Sequence, residues 1–239
     1  MLISFDNDRP SDSPYIERIW SSHSGRPGVF LSVACIHWEL VITRLQGRSI
    51  VTLRGPETRP SEWLCPADGE WLGIRFKAGT FMPQLPVHGL MDNPGVNLPQ
   101  LSKRTFLLDG KQWEFPTVEN AETFVSRLVS KGLVARDPEV TAALRGEPTA
   151  VSTRSAQRRF RQVTGMTFTQ LRQIERARHA VGLLKEGVPI ADVVWRCGFY
   201  DHAHLTRSLQ RWIGLAPTDV VRGDTQLSFL YKTEGFPLG

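Results

Sequence analysis

IADVVWRCGFYDHAHLTRSLQRWIG, residues 190–214, sets Ile190, Val193, Val194 and Cys197 on one helical face at steps of three and four. Gly198 follows, and glycine reaches the positive φ that a sharp turn between two helices requires. Asp201 is a suitable N-cap for a second helix, with Tyr200 before it placed to staple onto Leu205. In that second helix Leu205, Leu209 and Trp212 point inward, whereas Ala203, Arg207 and Gln210 project from the opposite side. His202 and His204 lie near its start and Arg211 near its end. Two helices joined by a glycine turn can lay the second one in a DNA major groove, its N-terminal residues at base edges. His202, Ala203, His204, Arg207, Gln210 and Arg211 are therefore the expected DNA-facing set.

The same arrangement recurs upstream in VSTRSAQRRFRQVTG, residues 151–165. Ser152 can cap a helix in which Ala156, Phe160 and Val163 share one face and Arg154, Gln157, Arg158 and Arg161 share the other. Between the two units, residues 168–185 predict a helix with Leu171, Ile174, Ala177, Val181 and Leu184 inward. Its eighteen residues span about 27 Å at about 1.5 Å each. Successive major grooves on one face of B-DNA lie about 34 Å apart, so such a spacer suits two recognition helices near one helical turn apart.

Charge supports this reading once it is divided along the chain. Residues 1–130 hold 13 Lys and Arg against 14 Asp and Glu, whereas 131–239 hold 16 against 10. Between Ser152 and Arg178, Arg154, Arg158, Arg159, Arg161, Arg172, Arg176 and Arg178 are opposed only by Glu175. Arginine's planar fork suits phosphate and guanine, which points this run toward nucleic acid.

The first half has another texture. Eleven of the 16 prolines precede residue 117 and the apolar runs between them are short, which predicts β structure. Residues 28–40 and 40–53 read as strands, the latter turning at Gln46-Gly47, and 71–77 (WLGIRFK) reads as another. Residues 105–115 read as a hairpin turning at Asp109-Gly110. Helical spacing begins at Val118, with Gly132 as a stop and Asp137-Pro138 starting a short helix through Arg145. The expected fold is α+β in two domains. Residues 1–130 form a mainly β unit, a cupin-like barrel or sandwich, with a terminal helix, and 131–239 form an all-α double helix-turn-helix unit. Three scattered cysteines, Cys35, Cys65 and Cys197, indicate buried free thiols rather than disulfides or a thiolate zinc site. The acidic start and the absence of a long apolar run predict a cytoplasmic protein with no membrane partner, nucleoid-associated when bound to DNA.

At these residues the chain resembles the arabinose-operon regulator (AraC/XylS) family of bacterial transcription factors. The resemblance covers about residues 150–222. It rests on RRF followed by TG, on Arg176, Ala180 and Leu183-Leu184 of the spacer helix, on Gly198-Phe199, Asp201 and His204-Leu205-Thr206-Arg207, and on Gly214, Pro217 and Arg222. It implies sequence-specific binding of double-stranded promoter DNA, with base-reading positions at Arg154, Gln157 and Arg158 and at His202, Ala203, His204 and Arg207. It also implies an N-terminal β domain that binds a small-molecule effector or forms a homodimer contact. Ala156 and Leu209 stand where the family favours larger apolar residues, and Phe168 where it often has proline. Only residues 145–151 separate the helix ending near Arg145 from the first recognition helix. Either that helix is a scaffold with a looser turn, or the first unit is degenerate.

Two other readings compete. A cupin-type metal-dependent enzyme would use His37 and Glu39, alternate residues on one strand face, with His88 completing a triad. One His-X-Glu pair leaves coordination incomplete, and no nucleophile elbow or phosphate-cradling glycine loop is present, so neither enzyme activity nor a cofactor is expected. A dimeric DNA-binding protein that senses nothing is the other. Trp38, Trp63 and Trp71 are the residues expected to line an effector pocket.

Overall fold

WLGIRFK shows how the first half is built. Leu72, Ile74 and Phe76 are buried on one face of their strand, and Trp71, Gly73 and Arg75 fall on the other, as the two-residue period of a strand requires. The computed structural model describes residues 2–85, 87–148 and 152–227. The strands are β1 (Ile3–Pro10), β2 (Ile16–Ser24), β3 (Gly28–Ser32), β4 (Glu39–Leu45), β5 (Arg48–Arg54), β6 (Ser61–Cys65), β7 (Glu70–Phe76), β8 (Thr80–Phe81), β9 (Val96–Leu98), β10 (Thr105–Leu108), β11 (Lys111–Glu114) and β12 (Ala135–Arg136). The helices are α1 (Ala121–Ser130), α2 (Pro138–Leu144), α3 (Thr153–Thr164), α4 (Phe168–Lys185), α5 (Ile190–Arg196), α6 (His202–Trp212) and α7 (Pro217–Arg222).

An antiparallel sheet in the order β1-β2-β7-β4-β5-β9 forms the frame. One face carries Ile19, Leu40, Ile42, Val51, Leu53 and Ile74 into an apolar cluster with α1 and the β10–β11 hairpin, through Phe124, Val125, Leu128, Phe106 and Trp113. The opposite face is roofed by the separate pair β3–β6. The result is sandwich-like. Among the described residues β1 and β9 remain the two edges of the large sheet, so it does not close on itself as a barrel. Both expected hairpin turns form, with positive φ at Gln46-Gly47 and at Asp109-Gly110, the backbone that matches the twist of the flanking strands.

One strand expectation needs correction. Residues 28–40 do not form a single strand: β3 ends at Ser32 and β4 begins at Glu39. Val33, Ala34 and Ile36 leave the sheet and are buried in the apolar cluster of the helical half, with Leu171, Ile174, Val181, Leu205, Leu209 and Trp212. Ala34 N–H donates to Trp212 O at 2.8 Å, and Arg178 Nη1 donates to Ala34 O at 3.2 Å. Their apolar side chains suit a strand and a helix-lined pocket equally well, so local pattern could not separate the two.

The helical half is arranged around α4, which touches α3, α5, α6 and α7. A capping box starts it: Gln170 N–H donates to Thr167 Oγ1 at 3.2 Å, and Thr167 N–H donates to Gln170 Oε1 at 3.0 Å. α2 packs on α3, with Val140, Leu144 and Phe160 in one cluster. Asp137, itself buried, accepts from Val140 N–H at 3.1 Å to cap α2 and pairs with Arg159 of α3. Its own N–H donates to Gly79 O at 3.0 Å. Asp137→Ala removes the cap and leaves Arg159 without its carboxylate. Chemical denaturation should show a loss of about 1–3 kcal/mol; a loss below about 0.5 kcal/mol would show that this junction is not structural.

Candidate nucleic-acid interface

The second helix pair is held at its turn. Gly198 has φ +66° with open space around its α-carbon, so the dihedral rather than crowding demands glycine there. Arg176 of α4 donates to Gly198 O at 3.4 Å and lies 4.6 Å from the Phe199 ring centroid. Asp201 caps α6 by accepting from His204 N–H at 2.6 Å. Phe199 is buried, whereas Tyr200 is 90% exposed. Tyr200 therefore does not staple onto the buried Leu205; the residue before it turns inward instead, edge-on to His204 at 5.3 Å. The His204 ring is committed to the turn, since Tyr200 N–H donates to its Nδ1 at 3.3 Å.

Leu205, Leu209 and Trp212 face the core as the spacing predicts. His202, Ala203, Arg207, Gln210 and Arg211 are exposed and His204 is half-buried. Arg211 lies back over the Trp212 ring at 4.4 Å, so its position is partly fixed along its own helix. On α3, Arg154, Gln157, Arg158 and Arg161 are exposed opposite the buried Phe160 and Val163. Arg158 also borders a groove shared with Phe81, Met82 and Pro83 of the β half.

The arginine run divides by what its members touch. Arg159 pairs with Asp137, Arg176 braces the Gly198 turn, and Arg178 is 2% exposed with its guanidinium directed to Ala34 O. Charge counting could not distinguish these from Arg154, Arg158 and Arg161. The signal that could have found Arg178 was its phase on α4, one step from Ala177 and four from Ile174.

The β half holds a cavity of about 310 Å³ between the large sheet and β3–β6. Trp63 and Trp71 line it. Trp38 does not: it stacks on Phe76 at 3.6 Å, donates to Thr80 O at 2.7 Å and belongs to the core. Its strand phase puts it on the face opposite Glu39, which does line the cavity.

His37 and Glu39 are engaged elsewhere than at a metal. His37 Nδ1 lies 2.9 Å from Phe76 O and 3.0 Å from Glu17 Oε2, and Glu39 accepts from Arg75 Nε at 2.6 Å. The side chain of His88 lies outside the described residues. No group of three His, Cys, Asp or Glu side chains is placed to hold a metal among the described residues. Burial pushes the Glu17 carboxyl up, but His37, Arg75 and Arg178 outweigh it and hold the group at about 2. The three cysteines are free, Cys35 partly exposed and the other two buried, and burial raises the Cys197 thiol to about 11.

Residues 147–223 match the family model described as a helix-turn-helix domain, the segment that carries α3 through α7. This segment is a helix-turn-helix DNA-binding domain of the arabinose-operon regulator type. The chain is similar to the regulatory protein Ada of Salmonella typhimurium, 29% identical over 107 residues. That match covers 45% of this chain and 30% of the relative's length. No solved structure matches the chain.

Arg207→Ala should weaken binding to a preferred site by about 1–3 kcal/mol and relax discrimination at one or two base positions, read by competition between site variants. Equal weakening on every sequence would make Arg207 a phosphate contact. For α3, the Arg154→Ala/Arg158→Ala double variant should lose preference at a second segment of the site. A uniform loss with a shallower salt slope would restrict that helix to the backbone.

Proposed function

We propose that the protein is a sequence-specific DNA-binding transcriptional regulator. The observation that carries this reading is α6. One face is locked into the core by Leu205, Leu209 and Trp212, its first turn is fixed by Asp201 and the Gly198 turn, and His202, Ala203, Arg207 and Gln210 form an exposed row on the other. A rigid helix with free polar side chains near its N-terminus is what major-groove reading needs. Arg154, Gln157, Arg158 and Arg161 on α3 supply a second reading face, supported by α2 as scaffold.

In this reading residues 131–239 recognise promoter DNA and residues 1–130 hold a small-molecule effector, a homodimer contact or both. The function is binding rather than catalysis and is carried out in the cytoplasm. No helix among the described residues is long and apolar enough to cross a membrane, in keeping with that placement. The cavity favours a sensing regulator over a DNA-binding protein that senses nothing, because a concave site with the aromatic walls Trp63 and Trp71 and a few polar groups is the form small-molecule sites take.

Selection from random duplexes with the full chain tests the reading. It should return a single motif, and affinity for that motif should fall steeply as salt rises, because the basic excess of the C-terminal half displaces phosphate counterions. Recovery of unrelated sequences, or association that ignores salt, would remove sequence-specific regulation.

A further inference from the structure

Around the Gly198 turn the side chains part in two directions. Cys197 and Phe199 enter the core. The backbone between them is tied down, with Gly198 N–H donating to Trp195 O at 3.1 Å, Phe199 N–H to Val194 O at 2.9 Å and Arg176 to Gly198 O. Trp195 and Tyr200, on either side, turn outward and are 83% and 90% exposed. Among the described residues neither ring stacks on another side chain, and neither the indole N–H nor the phenol O–H has a hydrogen-bond partner. The fold gains nothing from either ring, since both could be shortened without opening the core.

Their place in the domain points to what they meet. Tyr200 directly precedes Asp201, the N-cap of α6, and the exposed reading row begins at His202. Trp195 stands on the last turn of α5, the first helix of the pair. When the second helix of such a pair enters a major groove, the first crosses the sugar-phosphate strand beside it. The end of α5 and the turn then face that strand, so the aromatic pair continues the DNA-facing surface of the helix-turn-helix domain. The chemistry of the side chains agrees. Phosphate oxygens accept hydrogen bonds, the indole N–H and phenol O–H can donate them, and the apolar body of each ring suits the carbons of deoxyribose. The charged residues of α5 and of the first turns of α6 balance, Arg196 and Arg207 against Asp192 and Asp201. Asp201 is committed to its cap, and Asp192 lies in the first turn of α5, three residues before Trp195. A contact here is made by neutral donors and packing rather than by ion pairs.

We propose that Trp195 and Tyr200 form an uncharged clamp on the DNA backbone. The Tyr200 hydroxyl and the Trp195 indole N–H donate to phosphate oxygens of the strand that borders the α6 groove, and the Trp195 ring lies against a deoxyribose. The inference deepens the reading of α6 as a major-groove helix and rests on it. Both are positioning residues, because backbone contacts fix the register of a reading helix and carry no base information directly. The turn that holds Tyr200 is also the start of α6, through Tyr200 N–H to His204 Nδ1 and His204 N–H to Asp201, so the clamp sets where the first side chains of that helix meet base edges. It differs from an arginine contact in one measurable respect. A neutral donor displaces no counterion, so its loss lowers affinity without changing the dependence on salt.

Full-chain variants titrated on the selected duplex and on unrelated duplexes test the clamp. Tyr200→Phe removes only the hydroxyl, and Trp195→Phe keeps a ring and removes the N–H. Each should weaken binding about threefold to tenfold, the range of one hydrogen bond. The loss should be equal on every sequence, the slope of affinity against salt should not change, and both variants should melt with the wild type because neither ring packs in the core. Replacing single phosphates by uncharged methylphosphonates locates the contact: at one position beside the α6 groove the gap between wild type and Tyr200→Phe should close. Unchanged affinity in either variant would overturn the proposal and assign the exposed rings to a protein partner. A shallower salt slope, a sequence-dependent loss, a lowered melting temperature or a gap that persists at every phosphate would overturn it as well. A wild-type chain that binds no duplex would refute the reading of α6 itself, whereas a wild type matched by its variants refutes the clamp alone.

Discussion

Residues 33–36 are held between the two halves at the main chain of Ala34, whose N–H donates to Trp212 O and whose carbonyl accepts from the Arg178 side chain at Nη1. A short piece of the β half thereby serves as part of the core beneath both helix-turn-helix units. Val33, Ala34 and Ile36 are at most 3% exposed there. Removing them would open a void in the cluster that holds Leu205, Leu209 and Trp212, the residues that seat α6. The halves are thus chemically dependent on each other, although their compositions and charges differ sharply.

That dependence explains the use of a buried arginine. Arg178 is the largest side chain among those almost fully shielded from solvent, and an ion in such a place must be hydrogen-bonded and electrostatically matched. Ala34 O, Glu175 and the field of Glu17 meet this need, and they come from the loop after β3, from α4 itself and from β2. One guanidinium senses three elements and the cavity at once. A leucine in its place would pack the same junction without linking it to anything polar in the β half.

The helical half was largely legible because its signals are local. Gly198 at positive φ, Ser152 and Asp201 as caps, and apolar faces repeating at three and four residues each act within one or two turns. The hairpin turns at Gln46-Gly47 and Asp109-Gly110 were legible for the same reason. What escaped was long-range. β1 and β2 carry mixed polar and apolar residues whose role emerges only when β2 pairs with β7 and β1 with β2, so that both strands join the sheet face that lines the cavity. Trp38, Trp63 and Trp71 look alike in sequence, and only their strand phase assigns one to the core and two to the cavity. Among the seven clustered arginines, partners far away in the chain decide which are structural: Asp137 for Arg159, Gly198 for Arg176 and Ala34 for Arg178.

In the proposed reading, two recognition helices on a common stiff spacer make a geometric demand on the DNA. α4 is 18 residues, about 27 Å, and joins α3 to the α5–α6 pair as one rigid element. Hydroxyl-radical footprinting of the full chain on its selected duplex measures that demand directly. The account predicts two protected tracts about 10 base pairs apart on one face of the helix. A single short tract would contradict it, leaving α6 as the only reader and α3 as part of the frame.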